Sequence, residues 1–191
     1  MDKTAIEHWS PVIGGQFWWT GLIFVLIFVP LMIFLGSKIS SKQRDMVLYG
    51  MGIYQLGNKA LTQIGYIFSD NYIMASNLPL HLCGLSGILA GIVVFYRKQI
   101  LFEFLYFFGL VGFIHSVLTP EFTGGVSSWK IFDYYVGHSM LIIIPVWLMK
   151  YYEFRLRHNA WWTSFIYLQL IVVLVSQANS IIGNGANYML S

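Results

Sequence analysis

Charge is scarce in this sequence. Only 10% of the 191 residues are charged, whereas 57% are hydrophobic and 18% are aromatic. Soluble domains usually have about 25% charged residues, so the composition excludes an ordinary soluble fold and indicates a protein embedded in a membrane. The formal net charge of +3 comes mostly from the ends of predicted helices. It indicates membrane topology and contact with anionic lipid, and not nucleic acid as a partner.

Cysteine is almost absent as well. The only thiol belongs to Cys83, which excludes a disulfide within the chain and a cysteine-rich metal site. We also expect no cleavable signal peptide, because residues 1–16 are not basic and the apolar run after them has full spanning length. We therefore expect the first helix to remain in the mature protein.

Long apolar runs, by contrast, are abundant. A hydrocarbon core about 30 Å thick is crossed by about 20 helical residues. The sequence predicts an all-α, polytopic membrane bundle of about six transmembrane helices, formed by one domain over residues 1–191. The helices are expected at residues 17–36, 46–68, 74–96, 100–118, 131–150 and 161–186. Polar residues between Gln55 and Gln63 interrupt the second helix, which favours a position inside the bundle.

The basic residues predict the orientation of these helices. The amino-terminal tail and the even connections contain only Lys3 and Lys130. The first, third and fifth connections contain Lys38, Lys42, Arg44, Arg97, Lys98, Lys150, Arg155 and Arg157. Because cytoplasmic connections are enriched in lysine and arginine, both termini are expected outside the cytoplasm.

Polar residues within the predicted helices collect on the outer side. At the rise of an α-helix, His81 and Cys83 lie about 10 to 14 Å below the start of the third helix. His138 lies about 10 Å below the start of the fifth, and His115 about 5 Å from the end of the fourth. The second and sixth helices add Lys59, Gln63, Asn179, Asn184 and Asn187. Polar groups are costly in lipid, so we interpret this cluster as a site open to the outer leaflet.

Some of these groups also have a purely structural interpretation. Gln55, Lys59 and Gln63 are spaced four apart and share one face of a helix, so they could join helices by hydrogen bonds. Lys59 could instead extend its ammonium group toward the interface. Glu103 is expected to interact with the positive end of its own helix and with the basic residues before it. We assign no chemistry to Glu103.

The segment "LPLHLC", residues 78–83, concentrates unusual residues in the third predicted helix. Pro79 has no amide hydrogen and frees a carbonyl group one turn earlier, which indicates a kink that faces the polar cluster. Within a helix, Asn77 and His81 would share one face. Both are therefore candidates to line the site.

Cys83 is a candidate nucleophile if a base lies beside it. A thiol in apolar surroundings reacts slowly until a base removes its proton. Because His81 would point about 200° away from Cys83 on an ideal helix, the base is expected from another helix, with His138 first and His115 second. Such a pair suits acyl transfer through a thioester. Two other interpretations stay open: the cysteine could be a small buried hydrophobe, and the histidines could bind metal or haem.

Four stretches resemble the YwaF and transmembrane protein 164 family. They are "LPLHLCGLSGILAGI" from Leu78, "FEFLYFFGLVGFIHSVLTPEF" from Phe102, "YYVGHSMLI" from Tyr134 and "ANSIIGNGANYML" from Ala178. For the animal branch, the resemblance implies a phospholipid acyltransferase that uses no soluble acyl donor, and this branch is similar to the androgen-induced-gene lipid hydrolases. By position, the resemblance implies Cys83 as nucleophile and His138 as its histidine.

The leading hypothesis is a CoA-independent acyltransferase or lipid hydrolase that acts on glycerophospholipid through an acyl-thioester. Water or a lysolipid would accept the acyl chain, and no cofactor, metal or nucleic acid is expected. The expected substrate-binding residues are Asn77, His81, His115, Lys59, Gln63, Asn179 and Asn187. We expect an integral, multi-pass protein of a bacterial cell membrane. The alternatives are a non-enzymatic binding or transport subunit, and a haem or metal protein.

Overall fold

Helices make up nearly all of the regular structure. The computed structural model describes residues 8–68, 72–123, 126–183 and 185–189. The helices are α1 (Gln16–Lys38), α2 (Ser41–Ile67), α3 (Met74–Asn77), α4 (Leu82–Phe95), α5 (Gln99–Leu118), α6 (Ser128–Tyr151) and α7 (Ala160–Ile182). Two short strands, β1 (His8–Trp9) and β2 (Phe122–Thr123), form one antiparallel pair. The prediction of an all-α bundle is confirmed.

Among the described residues, four helices are long and apolar enough to cross a membrane, namely α1, α5, α6 and α7. They correspond to the first, fourth, fifth and sixth predicted helices. The last one ends at Ile182, before the predicted residue 186, because the backbone leaves the helix at Gly183 with a φ of 63°. Since α2 is rich in polar residues and α4 has only 14 residues, the number of spans and the side of each terminus stay predictions.

The second helix begins earlier than the predicted residue 46. The Ser40 side chain accepts a hydrogen bond from the Gln43 amide, and the Gln43 side chain accepts one from the Ser40 amide. This capping box satisfies amide groups that have no partner at the start of a helix. The polar residues from Ser41 onward therefore belong to the helix. The prediction left them out because it was based on apolar residues, and this segment has none.

The prediction of one continuous third helix, 74–96, is wrong. The chain forms the single turn α3, leaves the helical conformation after Asn77 and starts α4 at Leu82. Pro79 lies in this break, where its missing amide hydrogen and its ring disfavour a helix. Consequently Asn77 and His81 do not share a helix face, because Asn77 ends α3 and His81 is the N-cap of α4.

The helices α2, α4, α5 and α6 enclose the main apolar core, while α1 packs on α6 and α7 on α5. The fully buried core side chains include Leu48, Val93, Phe102, Leu105, Ile144 and Trp147. The outward faces of α1 and α7 are apolar and exposed, for example at Leu26, Phe34 and Val173. Apolar faces of this extent fit contact with lipid.

Glu103 has different partners from those predicted. Its carboxylate accepts hydrogen bonds from Arg157 Nε at 2.9 Å and Nη2 at 2.7 Å, and from Gln99 Nε2 at 2.7 Å. The expected contact with the basic residues before α5 is wrong, since Arg97 pairs with Asp45 of α2 at 3.1 Å. Two salt bridges thus connect the helix ends on this side of the bundle.

The opposite end of the bundle contains the pair of strands. Trp9 pairs with Phe122, so the amino-terminal segment is connected to the chain after α5. The Trp9 ring contacts Phe17 of α1 at 4.9 Å between centroids, and the Phe122 ring contacts Tyr134 of α6 at 4.6 Å. This aromatic cluster joins α1, α6 and the connection between α5 and α6.

Candidate functional site

Cys83 lies in the first turn of α4 and faces α5. Its Sγ is 4.0 Å from the carbonyl oxygen of Gly112, and a Cβ atom built on that glycine would lie 3.5 Å from Sγ. At that distance a Cβ atom would be in ordinary van der Waals contact with Sγ, so the thiol lies at the packed surface between α4 and α5. The first amide groups of a helix have no acceptor within it and favour negative charge nearby. The position thus suits a sulfur that becomes a thiolate during a reaction.

His138 lies on α6, one turn before Leu141. The Leu141 side chain lies next to Gly112, as the Cys83 side chain does. Its Nδ1 forms a 2.7 Å hydrogen bond with the carbonyl oxygen of Tyr134, and the Tyr134 ring packs 4.2 Å from the imidazole. A carbonyl oxygen only accepts hydrogen bonds, so we assign the proton to Nδ1 and a free lone pair to Nε2. This tautomer is the one that a general base requires.

Lys59 extends from α2 over the surface of α4. A Cβ atom at Gly87 would lie 2.8 Å from Cε and 3.8 Å from Nζ of this lysine. Gly87 follows Cys83 by about one turn, and the ammonium group is within electrostatic range of the thiol and of Asp133. The side chain is therefore directed between the helices and not toward lipid.

Asp133 on α6 is a candidate that the sequence reasoning missed. Its carboxylate accepts hydrogen bonds from the Tyr54 hydroxyl at 2.5 Å and from the Asn58 amide at 2.8 and 2.9 Å. It is also within electrostatic range of Lys59 and His138. The available signal was an acidic residue inside a predicted span, shortly before a histidine.

Three of the predicted substrate-binding residues hold backbone groups near the break between α3 and α4. The Gln63 side chain donates to the Asn77 carbonyl at 2.7 Å, and Asn77 Oδ1 accepts from the Ile73 amide at 2.6 Å. Asn179 donates to the carbonyl of Tyr188 at 3.0 Å and accepts from its amide at 3.1 Å. These side chains therefore shape the region around Cys83.

The other predicted residues are more exposed. His81 is exposed at the N-cap of α4, and its ring lies edge-on to the Tyr188 ring at 4.8 Å. His115 is exposed near the end of α5. Asn187 is exposed, and Asn184 lies outside the described residues.

A protein site for a metal ion would need at least three His, Cys, Asp or Glu side chains close together. The described ranges of the chain contain no such group.

The fold and the site define a polytopic helical membrane protein with a polar cluster between its helices. The chain belongs to the TMEM164 family, whose family model matches residues 7–190. No curated protein and no solved structure matches the chain. The family resemblance of the four motifs is confirmed. The match also covers the amino-terminal part of the chain, where the four motifs gave no evidence for the family.

Proposed function

We propose that the protein is an acyltransferase or lipid hydrolase in a bacterial cell membrane, with all of residues 1–191 forming one transmembrane domain. It acts on glycerophospholipid with Cys83 as nucleophile and His138 as general base. The observation that supports the proposal is that two neighbouring parts of the bundle each carry one of the required features. They are a thiol in the first turn of a helix and, on the neighbouring α6, a histidine with Nε2 free to accept a proton.

The first half of the reaction forms the thioester. His138 Nε2 takes the proton from the Cys83 thiol while Sγ attacks the carbonyl carbon of a glycerophospholipid ester. The bond between this carbon and the glycerol oxygen breaks, and His138 returns the proton to that oxygen. The lysolipid leaves, and the acyl chain stays on Cys83.

The second half of the reaction releases the acyl chain. His138 Nε2 takes a proton from the hydroxyl group of a lysolipid or from water, and the oxygen attacks the thioester carbonyl. The bond between carbon and sulfur breaks, and the sulfur recovers the proton from His138. A lysolipid acceptor yields a new phospholipid, whereas water yields a free fatty acid.

The carbonyl oxygen becomes negatively charged in both halves and needs hydrogen-bond donors. The amide groups of Cys83 and Gly84, in the first turn of α4, are suited to this because they have no acceptor within the helix. His81, at the N-cap, is a second candidate. Asn77 is a third candidate through its side-chain NH2 group, because the bond from the Ile73 amide goes to the oxygen of that side chain.

Lys59 is the candidate for binding the phosphate of the lipid. A cation held between helices is costly, and an anionic head group would offset that cost. The ammonium group also lies within electrostatic range of Cys83, so a phosphate beside it would lie near the reacting ester. Asn187 is exposed and available to a head group.

The test is the intact mass of the purified protein after incubation with defined phospholipids. Wild type is expected to gain an acyl adduct that hydroxylamine removes, whereas Cys83→Ala and His138→Gln are expected to gain none. The matched control is His158→Gln, which changes a histidine between α6 and α7 and is expected to keep the adduct.

An adduct on Cys83→Ala would contradict the assignment of the nucleophile. Intact phospholipid and an unmodified wild-type protein that remains folded would contradict the enzymatic proposal, and would favour a binding or transport subunit.

A further inference from the structure

The break before α4 is closed by a hydroxyl group from the carboxy-terminal part of the chain. The Leu78 amide donates to the Tyr188 hydroxyl at 2.9 Å, and this hydroxyl donates to the Met74 carbonyl at 2.7 Å. In a continuous helix, the Leu78 amide would donate directly to the Met74 carbonyl, because these residues are four apart. The Tyr188 hydroxyl is therefore inserted into one helical hydrogen bond.

Tyr188 is itself held on several sides. The residue is fully buried, and its amide and carbonyl groups both pair with the Asn179 side chain. Its ring packs edge-on to the His81 imidazole at 4.8 Å. Since its backbone, ring and hydroxyl all have partners, Tyr188 is a rigid connection between α7 and the start of α4.

The break also fits closely against the first turn of α4. A Cβ atom on Gly84 would lie 2.7 Å from the Pro79 carbonyl oxygen, so only glycine allows this approach without a shift. Cys83 immediately precedes this glycine. The geometry of the break therefore determines where the thiol and the first amide groups of α4 lie.

We propose that Tyr188 is a positioning residue for Cys83. Its hydroxyl satisfies the two backbone groups that the break leaves without a helical partner, and so fixes the turn that carries the thiol. The effect on turnover rests on the function proposed above, whereas the effect on the position of Cys83 does not.

Alkylation of Cys83 measures this directly, because the chain has one cysteine. Protein treated with hydroxylamine would be reacted with a maleimide in mild detergent. In Tyr188→Phe the Leu78 amide and the Met74 carbonyl lose their partner. The break then opens more often, and the thiol is expected to react about fivefold faster or more.

The matched control is Tyr151→Phe. The Tyr151 hydroxyl donates to the Ile33 carbonyl between α6 and α1, so this variant also loses a tyrosine hydrogen bond but leaves the break unchanged. Its alkylation rate is expected to equal that of wild type. Hydrogen exchange of the segment around Leu78 is expected to accelerate in Tyr188→Phe and not in Tyr151→Phe.

A second variant, Asn179→Leu, removes the two hydrogen bonds to the Tyr188 backbone and keeps the hydroxyl. It is expected to accelerate alkylation in the same direction, and it provides the test if Tyr188→Phe does not fold. In acyl transfer, Tyr188→Phe is expected to lower kcat roughly tenfold or more with little change in KM, since misplacement of a reacting group lowers the rate of chemistry.

An unchanged alkylation rate in folded Tyr188→Phe would overturn the positioning role, whatever its turnover. If Tyr188→Phe is alkylated faster but the wild-type protein transfers no acyl group, the positioning role is upheld and the proposed enzymatic function is overturned.

Discussion

At the scale of single residues, Glu103 shows how this bundle stabilises a buried charge. The side chain is 1% exposed, and Arg157 contacts both of its oxygens. The hydrogen bond to Glu103 raises the pKa of Arg157, which lies in the connection between α6 and α7. This two-point contact favours the ionised form of the carboxylate, which depends on a partner from a different part of the chain.

Replacement of Arg157 by methionine would leave the Glu103 carboxylate without its cation. We expect Arg157→Met to lower the free energy of unfolding, because the buried Glu103 carboxylate would lose its cationic partner. Titration of unfolding with SDS in mild detergent measures the change. The control is Arg155→Met, since Arg155 donates only to the carbonyl groups of Met149 and Phe154 among its described hydrogen bonds. Equal stability of the two variants would contradict the prediction.

Single residues also mark the limit of sequence reasoning. Cys83 and His138 were predicted as site residues because a thiol and an imidazole are unusual at membrane depth, and their roles stay predictions. Asp133 was missed because its partners, Tyr54 and Asn58, lie on α2, and such pairing depends on how helices pack. Tyr188 was noted only as part of a family motif, since its hydroxyl acts on residues far away in the sequence.

At the scale of elements, glycines determine how closely α2 and α4 approach. A Cβ atom on Gly91 would lie 2.4 Å from Leu56 Cγ and 3.2 Å from the Gly52 carbonyl oxygen. Small residues at such contacts let membrane helices pack with their backbones close together. This contact positions Lys59 over α4.

Gly91→Ala is therefore expected to destabilise the protein by about 1 to 3 kcal/mol, because the added methyl group overpacks the contact between α2 and α4. Gly50→Ala is the matched control, since a Cβ atom there has nothing within 4 Å, and alanine is the better helix former. Thermal unfolding in detergent compares them. A midpoint for Gly91→Ala at or above that of Gly50→Ala would refute this view of the contact.

The helices were predicted well where apolar length defines them, as for 17–36 and 100–118. The prediction failed where polar groups decide the structure. The Ser40 capping box extends α2, and the break at Pro79 divides the third helix. Hydropathy contains no information on such breaks, because a proline in a membrane helix is compatible with either a kink or a complete interruption.

At the scale of the whole molecule, topology decides which leaflet the candidate site faces. The start of α4 and the strands lie toward one end of the bundle, and the Glu103 and Asp45 salt bridges toward the other. The distribution of basic residues predicts that the salt-bridge end faces the cytoplasm. Cys83 would then be reached from the outer leaflet.

Labelling of single introduced cysteines tests this orientation. In a Cys83→Ala background, Val126→Cys is expected to react with a membrane-impermeant maleimide in intact cells. Lys42→Cys is expected to react only after the membrane is disrupted. Both wild-type side chains are exposed in the described structure, so access to the reagent depends on the membrane. Labelling of Lys42→Cys in intact cells would reverse the predicted orientation.

The hydroxyl bridge of Tyr188 also has a consequence for the order of biosynthesis. Met74 and Leu78 leave the ribosome long before Tyr188 does, so a nascent chain inserts its cysteine-bearing segment into the membrane while the bridging hydroxyl is still missing. The hydrogen bonds that close the break form only when α7 and the residues after it have been translated and have returned to the start of α4. A ribosome that stalls before codon 188 would therefore leave a membrane-inserted chain whose break before α4 has no hydroxyl bridge, and Cys83 would lack the support that we propose for it.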